Sequence, residues 1–242
     1  MRPLKDLSFA TLAQIESVLV DIDDTLTLHG RLPAAAYSAL EELGKVGIKI
    51  IPVTGRPAGW CDHIARMWPV DGIIGENGAF YFYYQAEKHK MIRRYWKPET
   101  ERQHDRAKLS TLRSEILAAD QGAKIAADQA YRETDLAIDF GEDVTPLPME
   151  EVKKNSALFK KAGANAKISS IHVNGWFGQY EKLGMTRILF QEVFHQDLEM
   201  IKESIIFVYD SPNDTPMFDY FPNAVGVANI MQFTDQISVK PA

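Results

Sequence analysis

Two short apolar, β-branched runs, SVLVDI at 17–22 and IKIIPV at 48–53, flank a stretch in which Ala35, Ala36, Ala39, Leu40 and Leu43 recur at helical spacing. Strands this apolar must be buried on both faces, and a helix between two of them brings the chain back to lay them parallel. Pro33 stands near the start of that helix and Gly47 at its end, where a helix accepts each. The alternation continues with a helix over 57–68 and a strand over 72–75 that runs into Glu76-Asn77-Gly78-Ala79. It resumes after Gly178 with a helix over 182–194, a strand over 204–209, a helix over 213–220 and a strand over 224–228. This predicts an α/β fold, a Rossmann-like parallel sheet with helices on both faces.

Between the two halves the pattern changes. Residues 79–84 and 91–96 read as a hairpin, 99–119 as a long charged helix, and 137–140, 146–162 and 167–173 as an irregular mix of strand and helix. The expected organisation is a core of 1–84 and 178–242 with an inserted α+β cap domain over 85–177. With 242 residues, the chain can bury about 70% of its unfolded surface without covalent staples. Its formal charge of −6 offers no basic face for a nucleic-acid backbone. No apolar run reaches the ~18 residues of a membrane span, and the start lacks an apolar leader core. Cys61, the single cysteine, rules out an internal disulfide or a cysteine zinc cluster and favours a reducing compartment. A cytoplasmic protein with neither nucleic-acid nor membrane partners is expected.

Four signals fall at the carboxyl ends of the expected core strands or beside them, the edge at which open α/β sheets bind ligands. In Asp21-Ile22-Asp23-Asp24-Thr25, residues two apart point the same way, so Asp21 and Asp23 share one small space. Two carboxylates so placed repel unless a cation intervenes, and a hard ion such as Mg²⁺ suits oxygen donors. Solvated acids with Thr25 as a cap would also account for this run. In Val53-Thr54-Gly55-Arg56-Pro57, a hydroxyl, a backbone amide and a guanidinium precede a helix, as phosphate binding requires, although Thr-Gly is also ordinary turn chemistry. Lys182 opens the first helix after the insertion, where it is either a point charge for phosphate or one more solvated lysine. Finally, Asp210 and Asp214 bracket Asn213 in a turn after the IIFVY strand, which suits a hard cation or a capped helix.

Taken in order, DIDDTLT, VTGRP, Lys182 and DSPND resemble the motifs of the haloacid dehalogenase superfamily phosphatases. The cap position between the second and third motifs, and the ENGA turn, resemble the Cof-type and sucrose-phosphatase-like branch, subclass IIB. The resemblance implies a Mg²⁺-dependent phosphoric monoester hydrolase acting on a small phosphorylated metabolite, a sugar phosphate or related ester, through an aspartyl-phosphate. It implies Asp21 as nucleophile and Asp23 as general acid and base. Mg²⁺ would be held by Asp21, the Asp23 backbone carbonyl and Asp210, supported by Asp214 and Asn213. Thr54, Gly55, Lys182 and Asn213 would bind the phosphoryl group, with Thr25 orienting the loop. A phosphosugar mutase and a weakly catalytic sensor share the same core and stay open. Tyr209 stands where the family usually has glycine, and a ring there would narrow the metal site or reach toward substrate.

The cap's return to the core contains His172, Asn174 and Trp176. His172 and Asn174 are candidates for bonding substrate hydroxyls and Trp176 for stacking on a sugar ring. A strand with one polar face and a packed tryptophan reads equally well.

Overall fold

The computed structural model describes residues 4, 7–120, 122–169, 171–210 and 215–233. A one-turn helix, α1 (Phe9–Leu12), precedes β1 (Ser17–Val20), α2 (Ala34–Lys45), β2 (Lys49–Pro52), α3 (Ala58–Met67) and β3 (Ile73–Gly75). The chain then runs through β4 (Phe80–Gln85), β5 (Lys90–Tyr95), α4 (Glu99–Ala119), β6 (Lys124–Ile125) and β7 (Asp135–Asp139). Next come α5 (Met149–Lys161), β8 (Asn165–Ile168), β9 (His172–Trp176), α6 (Lys182–Leu189) and α7 (Leu198–Ile201). Last are β10 (Ile205–Tyr209), α8 (Thr215–Tyr220) and β11 (Asn223–Gly226).

The parallel sheet has the order β11-β10-β1-β2, with Ser17 to Val20 paired to Ile205 to Val208 on one side and to Lys49 to Pro52 on the other. A parallel bridge from Val53 to Ile74 places β3 next in line. Alternation within each strand sends side chains to two cores. Leu19, Ile51, Phe207 and Tyr209 meet Leu189, Phe190 and Phe218 on one face. On the other, Ile73, Phe80 and Phe82 pack with Ala58, Cys61 and Ile64 of α3. Complete burial of each large apolar side chain stabilises by about 1.5–3 kcal/mol, so these clusters fix the sheet's register.

The hairpin β4–β5 pairs from Phe80↔Tyr95 to Gln85↔Lys90, and β4 also pairs with β3. Residue 85 therefore lies at a hairpin turn, and β5 stays hydrogen-bonded to the strands before it. A separate antiparallel sheet, β6-β7-β9-β8, covers a third core of Leu109, Leu112, Ile116, Ile138, Val152 and Phe159. The long helix α4 thus packs with this sheet. Gly175 on β9 is required there, because a Cβ would come within 2.0 Å of the Phe159 ring.

The run read from sequence as one strand over 167–173 is two strands. Ser169 Oγ accepts the amides of Ile171 (3.3 Å) and His172 (2.9 Å), reversing the chain between β8 and β9. A serine hydroxyl does here what glycine or proline does in more visible turns, so no punctuation marked it. No helix among the described residues is long and apolar enough to cross a membrane.

Candidate active site

β1 ends at Val20, and in the turn that follows Ile22 is buried in the second core while Asp21 and Asp23 both line one cavity. The turn they sit on is tied by Thr27. Its Oγ1 accepts from Asp24 N (3.1 Å) and donates to Ile22 O (3.2 Å), while Asn229 Nδ2 donates to Asp24 O (2.9 Å). Loop orientation was expected of Thr25, but its buried hydroxyl has no hydrogen-bond partner among the described residues.

Lys182 is the first residue of α6, and its Nζ lies 3.0 Å from Asp21 Oδ1. Glu181 caps the helix by accepting from Gly184 N at 3.0 Å. What lets the helix start so close to the acids is Gly78, whose φ is +102°. A Cβ there would sit 2.3 Å from Glu181 C and O and 2.7 Å from Lys182 N. Backbone cannot swing aside as a side chain can, so Gly78→Ala should displace the start of α6. The expected result is a loss of about 1–3 kcal/mol in denaturant unfolding together with a fall in kcat/KM.

The loop after β2 presents Gly55 and Arg56 to the cavity. Thr54 is fully buried, with its Oγ1 accepting from Arg56 N at 3.0 Å. The sequence groups Arg56 with phosphate binding, but its guanidinium grips Asp23. Nε is 3.0 Å from both carboxylate oxygens and Nη2 is 2.7 Å from Oδ1. Nη1 reaches Glu142 Oε1 at 3.1 Å, and Trp60 lies under the guanidinium with its ring centroid 4.4 Å away. Glu142 Oε2 is in turn 3.0 Å from His172 Nε2. The His172 imidazole beside it, and after it the Arg56 charge, hold Glu142 down to about 2 against the opposing effect of burial.

Asp210, at the end of β10, lines the same cavity as Asp21 and is largely buried. Tyr209 neither narrows this space nor faces it. Its ring is fully buried, 5.2 Å from Phe207 and 3.6 Å from Phe218, because alternation along β10 turns it into the first core. Asn213 and Asp214 lie outside the described residues.

The antiparallel sheet closes the cavity from the other side. Along β9, His172 and Asn174 line it, while Val173 points into the third core. Asn174 Nδ2 donates to Asp135 Oδ2 at 3.0 Å. Trp176 does not line this cavity. It is 6% exposed and stacks on Tyr180 at 5.8 Å, bordering an adjacent cleft instead.

Two features that sequence reasoning missed join the halves. Arg132, whose side chain is 1% exposed, donates to both oxygens of Asp128 (2.9 and 2.8 Å), to both of Asp135 (3.1 Å each) and to Gly55 O (3.1 Å). Glu76, fully buried in the ENGA turn, accepts from Ala58 N (2.9 Å), Glu133 N (2.9 Å), Thr134 N (2.6 Å) and the Thr134 hydroxyl. Burial, with the Asp135 charge adding to it, holds the Glu76 carboxyl above the usual range.

Among the described residues no three His, Cys, Asp or Glu side chains converge as a metal site. Asp21 and Asp210 do face one space, and their oxygens suit a hard cation, with no cysteine beside them to favour a soft one.

A family model described as haloacid dehalogenase-like hydrolase matches residues 18–177. The chain belongs to this family. Solved structures that resemble the hydrolase include Thermoplasma acidophilum 0175, at 16% identity, covering 91% of this chain and 90% of that one with a TM-score of 0.67. The phosphatase BT1666 from Bacteroides thetaiotaomicron matches at 19% identity, 96% and 91% coverage and TM-score 0.60. The sucrose-phosphatase of Synechocystis sp. PCC6803 matches at 16% identity, 94% and 89% coverage and TM-score 0.62. At such identities the shared property is the fold, a Rossmann-like core with a cap. No curated protein matches the hydrolase by sequence.

Proposed function

We propose that this hydrolase is a Mg²⁺-dependent phosphatase that cleaves a small phosphate monoester, with a sugar phosphate or related metabolite as substrate. The observation that carries this reading is the meeting of Asp21, Asp23, Lys182 and Asp210 at one cavity. The phosphatases among its structural neighbours support it further.

In this reading an Asp21 carboxylate oxygen attacks phosphorus as the ester P–O bond breaks, giving an aspartyl-phosphate. Lys182, already beside Asp21, offsets negative charge on the phosphoryl group, and the Gly55 amide is available to its oxygens. Asp23 delivers a proton to the leaving alkoxide and later takes one from the water that opens the intermediate. The Arg56 fork fixes the Asp23 carboxylate in direction, an arrangement suited to that second step. Asp21, the Asp23 carbonyl and Asp210 would hold Mg²⁺, with Asp214 and Asn213 in support, and the ion when bound neutralises phosphoryl charge. Residues from α4 to β9 act as the cap that excludes water, with the division after β5 rather than within the β4–β5 hairpin.

The expected result is hydrolysis of p-nitrophenyl phosphate that requires Mg²⁺, stops with chelator and returns when the metal is restored. Equal turnover in excess chelator would sink the metal assignment.

A further inference from the structure

The cavity at Asp21 has a volume of about 60 Å³, whereas ligand pockets commonly span about 300–1,000 Å³. It admits a phosphoryl group and little more. Beside it opens a cleft of about 590 Å³, and Asn77, Lys167 and Lys182 border both spaces. An ester held with its phosphorus against Asp21 therefore has one roomy direction for its alcohol half.

We propose that this alcohol half carries a second anionic group, a carboxylate or a phosphate, received by the lysines of the cleft. The proposal rests on the phosphatase reading and narrows its substrate class. Among the described residues the charged lining of the cleft is Lys160, Lys167 and Lys182 against Glu181. Lys182 is taken up by Asp21 and the phosphoryl group, and Lys160 and Lys167 still outnumber Glu181, a local positive surplus in a chain of net charge −6. Glu181 is already engaged as the cap of α6. Lys160, on the last turn of α5, is exposed and makes no ion pair among the described residues. Ser156, Asn77 and Asn165 in the lining meet the hydroxyls of any alcohol, whereas the lysine ammoniums favour a partner that carries negative charge. The apolar wall of Trp176, Met217 and Ile168 suits the short carbon frame between the two anions.

The test compares kcat/KM under Mg²⁺ within two matched pairs: 3-phosphoglycerate against glycerol 3-phosphate, and fructose 1,6-bisphosphate against fructose 6-phosphate. The more charged member should win by about tenfold or more in at least one pair, and the winning pair tells carboxylate from phosphate. Lys160→Glu should erase or invert that preference through KM. Its kcat on p-nitrophenyl phosphate, which has no second anion to meet, should be unchanged, and this also reports intact folding. Equal kcat/KM within both pairs, or a preference that survives Lys160→Glu, overturns the inference and leaves the phosphatase reading standing. No turnover of p-nitrophenyl phosphate by the unaltered protein overturns that reading, and the inference with it.

Discussion

Asp21→Asn is expected to lower turnover of p-nitrophenyl phosphate by at least about 10⁴-fold, equivalent to about 5 kcal/mol of lost transition-state stabilisation. The size follows from what is removed. An amide is nearly isosteric with the carboxylate but cannot form an aspartyl-phosphate, so the proposed route through a covalent intermediate closes. The substitution also takes away the charge 3.0 Å from Lys182 Nζ. A folded variant with an unchanged cooperative unfolding transition and no turnover is therefore the informative result. Asp23→Asn offers a contrast: turnover should slow while substrate binding is harmed much less, because in the proposed mechanism Asp23 moves protons and does not attack phosphorus. Full activity in Asp21→Asn would exclude the mechanism outright.

The largest effect on stability should come from Arg132→Met. The methionine keeps much of the volume but removes the positive charge between Asp128 and Asp135, two carboxylates buried to 6% and 0% side-chain exposure. Removing one partner of a buried ion network leaves the others without compensation, which costs about 3–5 kcal/mol. For a chain of this length that lowers Tm on the order of 10 °C. The change also deletes the donor to Gly55 O, one of the bonds between the antiparallel sheet and the loop after β2. A melting curve within about 1 °C of the unaltered protein would mean that the network contributes little.

What was legible in the sequence was whatever short-range physics writes into neighbouring residues. All-apolar strands, helices at 3.6-residue spacing and the acids following SVLV and IIFVY are local patterns, and the α/β core follows from them. Asp21 and Asp23 do line one cavity, but β1 ends at Val20 and the turn over residues 22–26, not the two-residue period of a strand, sets their directions. By two-residue alternation Tyr209, at an odd position of β10 with Phe207, belongs to the core. The β8–β9 reversal escaped because a serine made it.

Tertiary structure alone decided the partners. Arg56 could have faced phosphate, solvent or an acid, and nothing in VTGRP chooses among these. The choice fell to Asp23 and Glu142, far away in sequence, because packing carried both to the same guanidinium. Glu76 owes its four donors to segments as distant as Glu133 and Thr134, and Arg132 reaches Gly55 only once the two sheets meet. Buried charge is stabilised by whichever opposite charges and donors long-range packing supplies. Chain order records the groups that need such partners, and the folded sheet edges determine which ones they get.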